Sequence, residues 1–179
     1  MIGAETNKFK TGYVPINIVE SLIGQHLKTL LSRDTNILEV IKMTQKSELL
    51  DRLNEALTRE LRAEAMYAHY AAYVKGIHRL HLKPYFESEA AESFTHARTV
   101  RNVLVQLGGI ASTERHVQPI EHTTDYQIML DQALDTERQS AAVYRGILPL
   151  LQENEELYDA IEQILFAEER SVEELMQLI

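Results

Sequence analysis

The stretch LTRELRAEAMY (Leu57–Tyr67) returns, altered, as LDTERQSAAVY (Leu134–Tyr144). Both run Leu, then Glu three residues on, then Tyr seven further. On an α-helix these positions fall on one face. A face carrying leucine, carboxylate and phenol together is neither an ordinary apolar seam nor a solvated surface.

Carried along the chain at heptad spacing, the same pattern gives four stripes. The first is Leu53, Leu57, Glu60, Glu64, Tyr67, Ala71 and Val74, and the second is Phe86, Glu89, Ser93, His96, Val100, Val103 and Leu107. The third is Leu130, Leu134, Glu137, Ala141, Tyr144, Leu148 and Leu151, and the fourth is Leu157, Ile161, Ile164, Glu168, Ser171, Leu175 and Leu178. Each is apolar at its ends and polar in its middle, which predicts a four-helix bundle with a polar layer at mid-height.

Seven glycines and four prolines cluster between stretches rich in Ala, Leu, Glu and Gln, and they set helices over 48–76, 84–107, 124–149 and 154–178. Pro84 suits a first helical turn and Gly108 a C-terminal cap. The first two helices are joined tightly, as are the last two, so each pair forms an antiparallel hairpin. The link within LGGIASTERHVQPIEHTTD (Leu107–Asp125) is long enough to run the length of the bundle and lay the second and third helices parallel.

The expected fold is therefore all-α: a bundle of two antiparallel hairpins and a long crossover over 48–179, preceded by a partly helical extension, 1–47. In the extension, Val19, Leu22, Ile23, Leu27, Leu30 and Leu31 recur at helical spacing. They predict one or two short amphipathic helices that pack on the bundle or across a subunit contact.

Composition narrows the function. With 18 Lys and Arg against 27 Asp and Glu, the formal charge is −9. That balance disfavours nucleic acid and anionic membranes as partners and favours cations. No cysteine is present, so disulfides, thiolate metal sites and cysteine nucleophiles are excluded. The first twenty residues lack the apolar core of a signal peptide, and no run of about 18 apolar residues suggests a membrane span. The expected location is the cytoplasm.

The polar layer then needs an explanation. Glu60, Glu137 and Glu168 fall on the inward stripes, with Glu64, Glu89 and His96 beside them. Burying an unpaired carboxylate costs several kcal/mol, and several together repel one another. A bound cation resolves both problems. Carboxylate oxygens and an imidazole suit iron, manganese or zinc. Tyr67 and Tyr144, two turns along the same faces, can donate hydrogen bonds to the ligands.

These motifs resemble the ferritin-like superfamily, and within it bacterioferritin, over residues 48–178. LNEALTRELRAEAMY (Leu53–Tyr67) resembles that family's first helix, LDTERQSAAVYRGI (Leu134–Ile147) its third, FTHARTVRNVLVQLGG (Phe94–Gly109) its second and ILFAEERSVEEL (Ile164–Leu175) its fourth. The resemblance implies a di-iron centre held by a Glu on each of the first and third helices and Glu-x-x-His on each of the others. It assigns Glu60 and Glu137 as terminal ligands, His96 as the second helix's imidazole, Glu168 as a bridging ligand, and Tyr67 as a candidate catalytic residue beside the metals.

The chain departs from that pattern twice. The second helix reads Ser93-Phe94-Thr95-His96 and the fourth Glu168-Glu169-Arg170-Ser171, so one bridging Glu and one His are replaced by serine. Glu92, four residues before His96, and the inward Glu89 and Glu64 are candidates to fill the gap. Bacterioferritins bind haem through a second-helix Met. Phe94 stands at that position here, so no haem is expected.

The resemblance implies a homo-oligomer that oxidises Fe(II) and stores or passes on the product. An oxidase or oxygenase on the same scaffold, and a non-catalytic bundle with a degenerate centre, are the alternatives that two lost ligands bring forward.

Overall fold

Among the described residues four α-helices follow one another: α1 (Ile16–Tyr73), α2 (Arg79–Gln106), α3 (Tyr126–Ile147) and α4 (Glu155–Leu178). The computed structural model describes the backbone of residues 16–179 and the side chains of residues 37–179. The chain falls into two units, Met1–Thr44 and Gln45–Ile179, and the bundle is the second. Among the described residues there is no strand, and no helix is long and apolar enough to cross a membrane.

Two apolar clusters fill the interior. One gathers Leu53, Leu57, Val100, Leu104, Ile147 and Ile161, and the other Met66, Tyr70, Phe86, Met129, Leu130 and Leu175. Both draw on every helix of the bundle. Between them in sequence register lie the buried Glu60, His96, Glu137 and Glu168, which is the predicted polar layer.

The direction of each helix follows from its contacts. Tyr67 pairs with Glu137 and Tyr144 with Glu60, so α1 and α3 run antiparallel. The connector climbs beside α1 in step with it. The Asn54 amide donates to the Ile110 carbonyl at 3.0 Å, the His116 N–H donates to the Thr58 carbonyl at 2.8 Å, and Arg62 reaches the carbonyls of Gln118 and Pro119 at 3.0 Å each. The crossover therefore spans the bundle and sets α2 parallel to α3, as its length predicted.

Local chemistry fixes the ends. Gly108 sits at φ +76°, and the Gly109 N–H bonds back to the Leu104 carbonyl at 2.8 Å, which closes α2 as a left-handed cap. Asp125 caps α3 by accepting from the Gln127 N–H at 2.9 Å, and Asn154 caps α4 by accepting from the Leu157 N–H at 3.2 Å.

Several boundaries differ from the sequence reading, among them the end of α1, at Tyr73 and not 76. α2 starts at Arg79, so Pro84 lies inside it and not at its first turn. Arg79 explains the early start: its guanidinium donates to the carbonyls of Ala71, Ala72 and Val74 at 3.3, 3.2 and 2.9 Å, satisfying the end of α1. α3 ends at Ile147 and not 149, because Pro149 converts Leu148–Leu150 to a 3₁₀ turn. A single helix, α1, is recorded from Ile16 where one or two short helices preceding residue 48 were expected. The packing expected of Val19, Leu22, Ile23, Leu27, Leu30 and Leu31 lies outside the described side chains.

Arg62 is a buried cation that periodicity alone did not reveal. It is 3% exposed and adds a bond to Thr136 Oγ1 at 3.1 Å to those it gives the connector. Hydrogen bonds to a charged group contribute about 1.5–3 kcal/mol each, and less in sum. We expect Arg62→Ala to lower unfolding free energy by about 2–4 kcal/mol, measured by urea denaturation. A loss below about 1 kcal/mol contradicts this role.

Candidate metal centre

The layer is built around His96. Its Nδ1 lies 2.8 Å from Glu168 Oε1 and 3.8 Å from Glu60 Oε2. One ligand atom from each of Glu60, His96 and Glu168 falls within 4.8 Å of the others, and all three residues are buried. His96 Nε2 faces the other way, 3.7 Å from the half-exposed carboxylate of Glu92. The ring thus turns one nitrogen to the centre and the other toward a carboxylate at the edge.

Glu137 joins from α3. Glu168 is within hydrogen-bonding reach of both Glu137 and Glu60 and so stands between the two helices. Glu89, Glu92, Ser93, Glu137 and Ser171 line the same narrow cleft as His96 and Glu168. Glu89 is buried, with Ser171 as its hydrogen-bonding neighbour. Glu64 is only partly buried and belongs neither to the cluster nor to the cleft lining.

The two tyrosines of the repeated motif work crosswise. Tyr67 on α1 donates to Glu137 on α3, and Tyr144 on α3 donates to Glu60 on α1 at 2.6 Å. Seven residues along a helix is about 10 Å, too far for a phenol to reach its own helix's glutamate. The antiparallel partner brings that glutamate level with it. Burial holds both phenols well above their ordinary pKa, so they stay neutral donors.

Without a cation the layer keeps its protons. Burial pushes Glu60 up to about 8, opposed by the bond from Tyr144 and reinforced by the charge of Glu137. Burial also raises Glu137, and it raises Glu168 well above the carboxylate range, helped there by the charges of Glu60 and Glu137. His96 is pulled down to about 4, first by burial and then by Arg170. Both partners of the short His96–Glu168 contact are therefore held toward their neutral forms and share one proton between Nδ1 and Oε1. The pair is a neutral hydrogen bond. A cation at this place takes over from that proton.

The donor set fits a transition metal. Three buried carboxyls meet one neutral imidazole, and among the described residues no lysine or arginine pairs with Glu60, Glu137 or Glu168. Oxygen and imidazole ligands on facing helices suit iron, manganese or zinc. Glu60, His96 and Glu168 would hold one ion, and Glu168 and Glu137 reach toward a second place.

The family model for the ferritin-like domain matches residues 50–179. The chain belongs to the ferritin-like domain family. Among solved structures it is similar to a ferritin-like, diiron-carboxylate protein from Bacillus anthracis str. Ames, with 32% identity, 75% of this chain and 96% of that chain covered, and a TM-score of 0.70. Two others share the fold. One is a dodecameric thioferritin, the bacterioferritin-related protein from Bacteroides fragilis, at 24% identity, 74% and 84% coverage and TM-score 0.67. The other is a DPS protein from Vibrio cholerae O1, at 16% identity, 75% and 91% coverage and TM-score 0.70. No curated protein matches the chain.

Proposed function

We propose that this protein handles iron, binding Fe(II) in the polar layer and oxidising it there. The observation that carries the proposal is the buried Glu60–His96–Glu168 cluster, with converging ligand atoms and no basic side chain to neutralise it among the described residues. The likeness to a diiron-carboxylate protein at 32% identity supports it.

Iron is the substrate here. Two Fe(II) give up one electron each, and O₂ takes both with two protons to become hydrogen peroxide. Carboxylates favour the harder Fe(III) product. Tyr144 and Tyr67 hold Glu60 and Glu137 in place by hydrogen bonds that need no rearrangement. Glu92, at the exposed edge of the cleft, lies 3.7 Å from the outer nitrogen of His96.

The two serine replacements make the centre lopsided. Glu60 and His96 serve one side, Glu137 serves the other, and Glu168 lies between them. We expect anaerobic Fe(II) titration to fill the His96 side first and the Glu137 side at higher concentration, followed by slow ferric formation on admitting air. Iron per chain, by elemental analysis, and the ultraviolet absorbance of Fe(III) check this. A protein that retains no iron after anaerobic loading contradicts the proposal.

A further inference from the structure

We propose that Glu89 is the third protein ligand on the Glu137 side, so that the chain carries two unlike metal positions, one with an imidazole and one of carboxylates alone. The inference rests on the layer being a metal centre. It concerns how the two serine replacements are compensated.

Ser93 stands where the resemblance calls for a carboxylate, and its hydroxyl is a poor substitute for one. One turn earlier on α2 is Glu89, 8% exposed and lining the cleft shared with Glu137 and Glu168. Ser171, on α4, stands where a histidine is called for. A serine occupies far less volume than an imidazole, and the buried Glu89 side chain lines the same cleft as Ser171. The two serines and Glu89 thus form one coherent exchange: a carboxylate and an imidazole give way to one carboxylate displaced by a turn.

The other two candidates are placed badly for this role. Glu64 is outside the cleft lining. Glu92 also lines the cleft, but its side chain is 42% exposed, against 8% for Glu89, and it stands at Nε2 rather than at the Nδ1 that meets Glu60 and Glu168.

A second feature points the same way. Glu60 and Glu137 each accept from a buried phenol. Tyr85, one turn before Glu89, has a buried hydroxyl with no hydrogen-bond partner among the described residues. That hydroxyl is available to steady a Glu89 carboxylate that leaves Ser171 for a cation. Glu89 is not part of the tight Glu60–His96–Glu168 group, so this turn of the carboxyl is required.

An all-oxygen position prefers hard ions, whereas the imidazole position accepts softer ones. The test uses the full chain, stripped with chelator and titrated with Mn(II), with bound ion measured by equilibrium dialysis and by electron paramagnetic resonance. We expect two Mn(II) per chain and a spin-coupled pair. Glu89→Gln, which preserves side-chain volume, should weaken the second Mn(II) at least tenfold and leave the signal of an isolated ion. Glu64→Gln should keep both ions. Adding Ser171→His to Glu89→Gln should restore the pair, which a purely structural role for Glu89 does not predict. Unchanged binding in Glu89→Gln overturns the inference, as does a parent chain that binds one Mn(II) only. In both cases the Glu60–His96 position survives. A parent chain that binds neither Mn(II) nor iron overturns the metal centre itself along with this inference.

Discussion

Glu168→Gln should empty the metal centre while leaving the bundle folded. Glu168 is the carboxylate that meets His96, Glu60 and Glu137 together, so it is a shared ligand to both proposed positions. Loss of an outer partner lowers metal affinity roughly 10–100-fold, and loss of a shared inner ligand should exceed that. Glutamine keeps the size of the side chain and offers both an amide N–H and a carbonyl oxygen to Nδ1. Metal loss without unfolding is therefore the expected pair of observations. Elemental analysis of the purified variant after loading with Fe(II) measures the first, and circular dichroism the second. Full occupancy in the variant means that the ions are held elsewhere.

The metal-free protein should lose thermal stability as pH rises from 6.5 to 8.5, and added metal should reverse the loss. Glu60 and Glu89 move from 4.5 in the unfolded chain to about 8 in the folded one. Between these values the native state holds protons that the unfolded state has released, so stability falls as pH climbs through the window. His96 acts in the opposite sense and lower down. Its value falls from 6.5 to about 4, so its contribution is complete above 6.5 and is lost only toward acid. Above pH 6.5 the carboxyls therefore decide the slope.

A cation takes the place of the protons, so binding tightens as pH rises. An ion at 100 times its Kd adds about 2.7 kcal/mol. In a chain of this size each kcal/mol shifts Tm by about 2–4 °C, which gives a rise of roughly 5–11 °C at the alkaline end. Melting curves in chelator and with excess Mn(II), at pH 6.5 and 8.5, test both halves. A flat Tm in chelator across that range would show that the layer does not hold its protons.

The sequence by itself determined the bundle and its polar layer, and it placed serine at two positions where the family resemblance implies a ligand. Heptad spacing assigns each residue to a face, and the stripes Leu53–Val74 and Leu157–Leu175 carried buried residues at nearly every marked position. The crossover's length settled the parallel pair because only a connection of that length spans a bundle. Ser93 and Ser171 were visible as departures from Glu-x-x-His before any coordinates.

Tertiary structure alone decided which atoms meet. A face is a broad sector: successive residues turn by about 100°, so Glu89 and Glu92 both share the face of His96, yet lie roughly 20° and 40° to opposite sides of it. That small divergence leaves one carboxyl buried beside Ser171 and the other half-exposed beside Nε2. The repeated Glu and Tyr could be paired correctly only once α1 and α3 were set antiparallel, because each phenol bonds across the bundle. Arg62 was unreadable for the same reason. Its partners are main-chain carbonyls of Gln118 and Pro119, more than fifty positions away, and backbone acceptors leave no signature in side-chain pattern.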